Sequence, residues 1–331
     1  MRNMNNSTQD KIKSLVESIS DDKKSLRYIY NSNKEFPYWD NREIEKALES
    51  FLTGKWLSSG ENVNKFETRF SKKFNLKSSV MVNSGSSANL VMVAAIKKVL
   101  NWEDGSEIII SPVGFPTTIA PVVQANLKPV FIDIEMDTLN FDLNLIEDKI
   151  TDKTKAIFVS PVLGNPPNMD KLCEISKKYN LEIIMDNCDS LGSKWKGKYL
   201  TDYAIAASCS FYPAHHISTG EGGMVSSNNL EIVNTARSLA WWGRDCYCVG
   251  SANLLSCGTC GNRFDSWLKE YDGIVDHKYI FTNMGYNLKP LDMQGAIGLI
   301  QLTKWEEIHL NRVNSKNRLQ EIINRCFTSL H

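Results

Sequence analysis

Val80-Met81-Val82-Asn83-Ser84-Gly85-Ser86-Ser87-Ala88-Asn89-Leu90-Val91 changes from a strand pattern to a helix pattern across a serine–glycine turn. Val80–Val82 is a short apolar run of the kind buried on both faces of a sheet, and from Ser87 to Leu100 the apolar residues recur with the helical period. The junction repeats outward. Strand-like runs follow at Ile108–Ile110, Val130–Ile134, Ala156–Val159 and Ile183–Met185, with a helix over Met169–Tyr179 between the last two. This alternation predicts an α/β fold whose central sheet is mainly parallel and covered by helices. In such sheets ligands sit beyond the carboxyl ends of the strands. Ser84–Ser87 lies there after one strand, and Asp186 and Asp189 lie there after another.

On the N-terminal side of that region the pattern predicts short helices over Asn41–Leu52 and Asn64–Phe74, with Gly54 and Gly60 punctuating the segment between them. On the C-terminal side a helix is predicted over Asp292–Glu307. It leads into an amphipathic stretch in which Val313, Leu319, Ile322 and Ile323 are the apolar positions. There is no internal repeat and no low-complexity linker.

The 331 residues are 42% hydrophobic and 23% charged, which suits one large folded domain plus part of another. Lysine plus arginine equals aspartate plus glutamate at 38 each, so no global field draws the chain to nucleic acid or an anionic membrane. Met1–Ser20 is polar and lacks the apolar core of a signal peptide, and no apolar run reaches membrane-spanning length, so a cytoplasmic protein is expected. In that compartment the eight cysteines are expected to be metal ligands or core residues rather than a disulfide framework.

Four short motifs carry chemistry. Ser84-Gly85-Ser86-Ser87 offers free backbone N–H groups and hydroxyls at a helix start, which suits a phosphate, although for so short a motif taken alone a serine cap with a turn glycine is the commoner origin. Asp186 ends an apolar strand and needs a partner if buried; a protonated pyridine nitrogen is one, and capping of the next turn is the alternative. Phe115, in Gly-Phe-Pro-Thr-Thr, presents a flat ring beyond Ile110, where stacking on a cofactor competes with plain core packing. The fourth is Ser210-Phe-Tyr-Pro-Ala-His215-His216-Ile-Ser-Thr-Gly220-Glu-Gly-Gly223. It reads as a strand end (Ala204–Phe211), a turn exposing two imidazoles at the sheet's edge, and a second strand (Met224–Ser226). No lysine occurs from Tyr199 to Leu268, so chemistry here is acid–base rather than covalent.

Joined in this order, the motifs resemble the DegT/DnrJ-type sugar aminotransferases and dehydratases, pyridoxal phosphate enzymes of fold type I, over about Lys55 to Leu302. The resemblance implies a three-layer, aspartate-aminotransferase-like fold. It divides the chain into an N-terminal helical segment (1–54), a cofactor-binding large domain (55–305) and the start of an incomplete, apparently truncated C-terminal small domain (306–331). It implies that Gly85, Ser86, Ser87 and Ser210 hold the cofactor phosphate, that Phe115 stacks on the ring, that Asp186 pairs with the ring nitrogen and that Asp189 lies at the cofactor. Asn287, in Gly-Tyr-Asn-Leu-Lys, would reach the phosphate of a neighbouring subunit in a homodimer. Where the family has its Schiff-base lysine, this chain has His215. An imidazole can shuttle protons but cannot tether the aldehyde. The expected cofactor is therefore non-covalent pyridoxamine 5′-phosphate, with His215 as base in the 3-dehydration of a nucleotide-linked 4-keto sugar.

The cysteines point to a branch of that family. Fifty-seven residues separate Cys188 from Cys246, one separates Cys246 from Cys248, and Cys257 or Cys260 is available as a fourth thiolate. This resembles the [2Fe–2S] 3-dehydratases that act on CDP-4-keto-6-deoxy-D-glucose in lipopolysaccharide O-antigen synthesis. In those enzymes seven residues separate the third cysteine from the fourth; here eight separate Cys248 from Cys257 and eleven separate it from Cys260. The wording Thr-Cys260-Gly-Asn-Arg-Phe favours Cys260, giving Cys188, Cys246, Cys248 and Cys260 as the expected ligands. Zinc is the alternative for four sulfurs, and buried thiols the other. The branch implies a separate NAD(P)H-dependent iron–sulfur flavoprotein reductase as partner. Two further readings stay open: a cluster-free GDP-4-keto-6-deoxymannose 3-dehydratase, and a catalytically inactive scaffold relative.

Overall fold

The computed structural model describes residues 6–21, 38–54, 56–246, 248, 261–265, 267–268 and 270–328. Seven strands form the central sheet: β1 (Ser78–Val82), β2 (Glu107–Ile110), β3 (Lys128–Phe131), β4 (Thr154–Val159), β5 (Glu182–Asp186), β8 (Ala206–Ser210) and β9 (Gly223–Ser227). The two-residue strands β6 (Lys194–Trp195) and β7 (Lys198–Tyr199) pair apart from it. The spatial order is β1-β9-β8-β5-β4-β2-β3, with β9 antiparallel to both neighbours and every other pairing parallel. The register sets Ser210 and Val82 against Gly223. The carboxyl ends of β1 and β8 and the start of β9 therefore share one rim.

The helices are α1 (Asn6–Asp21), α2 (Asn41–Thr53), α3 (Glu61–Lys73), α4 (Gly85–Val99), α5 (Pro116–Gln124), α6 (Met169–Tyr179), α7 (Leu230–Ala240), α8 (Asp292–Thr303) and α9 (Trp305–Thr328). Strand side chains alternate between the two faces. Ile108, Ile110, Phe158 and Ile184 pack with residues of α4, α5 and α7, while Ile109, Ile157, Ile183 and Met185 pack with Met169, Leu172 and Ile175 of α6. Both faces are covered, as the continuous apolar strands require. A third cluster joins α3, α8 and α9 to the sheet through Phe66, Phe70, Phe74, Phe211 and Trp305. Phe66 and Phe211 have ring centroids 5.2 Å apart. Each fully buried ring of this set contributes about 1.5–3 kcal/mol, and Phe211 thereby pins the chain where it leaves β8.

Several local expectations change. The helix expected over Asp292–Glu307 breaks between α8 and α9 at Lys304, whose ammonium is drawn into the interior to lie 2.6 Å from Glu43 and 2.9 Å from Asp40. The strand expected over Val130–Ile134 ends at Phe131, and Ile134 makes only an isolated bridge to Phe141. Helix α5 was hidden in the sequence by Pro116 in its first turn and Pro121 inside it. The His215–His216 turn does not sit at a free edge of the sheet, because β8 and β9 are interior strands.

Candidate active site at the carboxyl rim

Helix α4 begins at this rim because Ser84 caps it, its Oγ accepting from the Ser87 N–H at 3.1 Å. The helix start lies directly against the end of β8. A Cβ on Gly85 would come within 2.4 Å of Ser210 Cβ, so only glycine permits the approach. Ser86 Oγ donates to Thr117 Oγ1 at 3.2 Å, bridging the starts of α4 and α5. The N-terminal N–H groups of α4, Ser86, Ser87 and Ser210 thus form a neutral cradle of donors suited to a phosphate.

Asp186, at the end of β5, is buried and accepts from four groups. Thr118 Oγ1 at 2.6 Å and Asn89 Nδ2 at 2.8 Å share one oxygen; the Cys188 N–H at 3.2 Å and Ser208 Oγ at 3.4 Å share the other. All four donors are neutral. Beside them Asn89 Oδ1 is buried without a hydrogen-bond partner. A buried carboxylate surrounded by neutral donors, with a cradle of N–H groups on the same rim, fits a ligand carrying a phosphate at one end and a protonated ring nitrogen at the other. Phe115 caps α5 on this rim with its ring 68% exposed.

His215 follows β8. Its Nδ1 lies 3.1 Å from Asp189 Oδ1, a contact that in the neutral imidazole places the proton on Nδ1 and makes Nε2 the acceptor. Asp189 therefore turns to the imidazole, and the hydrogen bond from His215 holds its carboxyl below the usual range. His216 differs. Burial, then the charge of Arg312, pushes its imidazole down to about 3, and its buried Nδ1 has no partner, so it is a neutral neighbour. Asn287 makes an isolated bridge to Trp241 and accepts from the Lys289 ammonium, which lies 3.2 Å from the centre of the Trp242 ring.

The Cys248 N–H donates to Cys246 Sγ at 3.4 Å, whereas Cys188 lies against Asp186. Burial and then the Asp186 charge push the Cys188 thiol up. Among the described residues no group of three or more His, Cys, Asp or Glu side chains is arranged to hold a metal ion. Cys257 and Cys260, the two candidates for the fourth cluster ligand, lie outside the described residues.

Sequence reading missed Asn89, Thr118 and Ser208 as the groups that hold Asp186. Asn89 had left a trace, as a polar residue opening the apolar run Leu90–Ile96. Tyr38 and Arg312, which meet at the carbonyl of His215, left none.

Residues 39–330 match the DegT/DnrJ/EryC1/StrS aminotransferase family. The chain belongs to that family. Its α/β architecture with a mainly parallel sheet is that of the fold type I enzymes. Among similar proteins, dTDP-4-dehydro-2,6-dideoxy-D-glucose 3-dehydratase of Saccharopolyspora spinosa is 40% identical over 84% of this chain and 59% of its own length. Lipopolysaccharide biosynthesis protein RfbH of Salmonella typhimurium is 38% identical over 86% of this chain and 65% of its own. The chain thus spans about three fifths of the length of these relatives. The structure of GDP-4-keto-6-deoxy-D-mannose-3-dehydratase of Escherichia coli with bound hydrated pyridoxal phosphate superposes with a TM-score of 0.74 at 31% identity, covering 89% of this chain and 72% of that one. No described helix is long and apolar enough to cross a membrane.

Proposed function

We propose that this member of the DegT/DnrJ/EryC1/StrS family is a pyridoxamine-phosphate-dependent 3-dehydratase of a nucleotide-linked 4-keto-deoxyhexose. The observation that carries the reading is His215, an imidazole oriented by Asp189, at the rim that also bears the Gly85–Ser210 cradle and Asp186. When bound, the cofactor supplies an amine to condense with the sugar's C4 carbonyl and a ring to accept electrons as the C3 hydroxyl leaves. The chain supplies the rest. The α4 N-terminus, with Ser86, Ser87 and Ser210, would bind the phosphate. Asp186, fixed by Asn89 and Thr118, would keep the ring nitrogen protonated. Asp189 holds the Nδ1 proton of His215, so Nε2 can take a proton from the cofactor's C4′ carbon and return one to the departing hydroxyl. Named relatives support a nucleotide-sugar 3-dehydratase, bearing dTDP and GDP sugars in their names.

Turnover of dTDP-, CDP- and GDP-linked 4-keto-deoxyhexoses with added pyridoxamine phosphate tests the reading. Release of the 3-deoxy product is expected with at least one of them. Its two electrons come either from the added pyridoxamine phosphate, which is left as pyridoxal phosphate with release of ammonia, or from a supplied NAD(P)H-dependent iron–sulfur flavoprotein reductase. Cofactor binding without consumption of any under both conditions would favour the inactive-scaffold alternative.

The finer reading, a CDP sugar with a [2Fe–2S] cluster fed by a flavoprotein reductase, rests on cysteine spacing. Iron and sulfide analysis of anaerobically purified protein decides it: two irons per chain support it, and none leaves the cluster-free, GDP-type reading. A homodimer sharing Asn287 across its interface is part of the same proposal, and light scattering at twice the chain mass is its expected signature.

A further inference from the structure

We propose that Tyr38 and Arg312 are positioning residues that set the place of the His215 imidazole by converging on that residue's own carbonyl oxygen. The inference rests on His215 being the base. Residues between β8 and β9 form neither helix nor strand around His215, and Pro213 has no N–H to give. Nearby, the loop secures His215 only by its N–H to Tyr212 O, at 3.0 Å. Its carbonyl instead receives two donors from remote parts of the chain: Tyr38 Oη at 2.7 Å and Arg312 Nη2 at 2.6 Å. The guanidinium also lies 3.4 Å from the carbonyl of Ala214. Both lone pairs of one carbonyl oxygen are thus taken, one by a charged donor, and hydrogen bonds to charged groups are the stronger kind.

Tyr38 is itself fixed from behind. Gln301 Nε2 donates to the Tyr38 carbonyl and to Glu43 Oε1, each at 2.8 Å, while Gln301 Oε1 accepts from the Ser218 N–H of the same loop at 3.0 Å. Glu43 is fully buried and paired with Lys304 at the α8–α9 junction. Burial pushes the Tyr38 hydroxyl up to about 12, so it keeps its proton and remains a donor. His215 is therefore held at both ends, its carbonyl by Tyr38 and Arg312 and its ring by Asp189. With both ends fixed, little torsional freedom is left for Nε2. A base displaced by about 1 Å can lose on the order of 100-fold in rate.

The test uses Tyr38→Phe, Arg312→Gln, their double variant and Arg312→Lys. For the double variant we expect kcat to fall about 10- to 100-fold with KM within about twofold. Arg312→Lys, which restores a charged donor, should recover most of the loss. In cofactor-free protein labelled with ¹⁵N-histidine, the ring signals of His215 should shift and its Nδ1–H should exchange faster. A folded double variant whose His215 ring signals and kcat match the unaltered protein overturns the proposal. Should the double variant not fold, Tyr38→Phe removes one hydroxyl only and is judged by the same two readouts, with an expected loss of about threefold. If the unaltered protein turns over no sugar, that failure counts against the dehydratase reading, and the ring signals alone then decide the positioning role.

Discussion

Asp186 and His215 share one rim but are supported from opposite directions. Asp186 is held by α4, α5 and β8, elements packed on or within the sheet it ends. His215 is held at its carbonyl by Tyr38, 177 positions away, and by Arg312, 97 positions away. Asp186 is thus anchored by the packed core, while His215 depends on contacts from the N-terminal segment and α9.

Substitutions that strike one support and spare the other sharpen this contrast. His215→Gln removes the base and leaves the cradle; kcat for dehydration should fall by about 10²- to 10⁴-fold while cofactor affinity, read by absorbance titration, stays within about twofold. Lys304→Met attacks the remote support. It leaves Glu43 buried without its ammonium, and urea unfolding should show a loss of about 3–5 kcal/mol. Converting Glu43 to Gln in the same chain should return much of that loss. Asp186→Asn attacks the sheet side, and its expected effect is a cofactor affinity weaker by roughly 10- to 100-fold, about 1.5–3 kcal/mol, with the His215 ring signals unmoved.

The last effect concerns pH. His216 has an ordinary value of 6.5 and is held at about 3 in the folded chain. Below 6.5 the unfolded chain takes up a proton that the folded one refuses, so this residue's contribution is full above 6.5 and is lost as pH falls toward 3. The slope is at most about 1.4 kcal/mol per pH unit. His216→Leu should flatten the acid limb of a stability profile measured by urea at successive pH values; an unchanged limb would place the acid sensitivity elsewhere.

The same contrast explains what could be read from the sequence. Strand-to-helix periodicity is local, so the sheet, α4, α6 and the residues at strand ends, including Asp186 and His215, were visible in short windows. The break at Lys304 was not, because it comes from a buried ion pair with residues some 260 positions earlier. The partners of Asp186 were hidden for a milder reason: Asn89, Thr118 and Ser208 converge only once α4, α5 and β8 are packed. Of the cysteines, Cys246 and Cys248 are neighbours in the fold as their spacing suggests, and the Cys188 N–H bonds to Asp186 at the end of β5.

The central claim is that vitamin B6 is held at this rim without a covalent tether, beside an imidazole. Borohydride reduction with pyridoxal phosphate, followed by peptide mass analysis, tests it most directly. No pyridoxyl group is expected on any lysine of the unaltered protein, and one is expected at position 215 in the His215→Lys variant. Lys289 is the sharpest control, since burial and then the charge of Arg244 lower its ammonium to about 8 and make it the amine most prone to react. Stoichiometric pyridoxyl labelling of Lys289, or of any other lysine, in the unaltered protein would contradict the account.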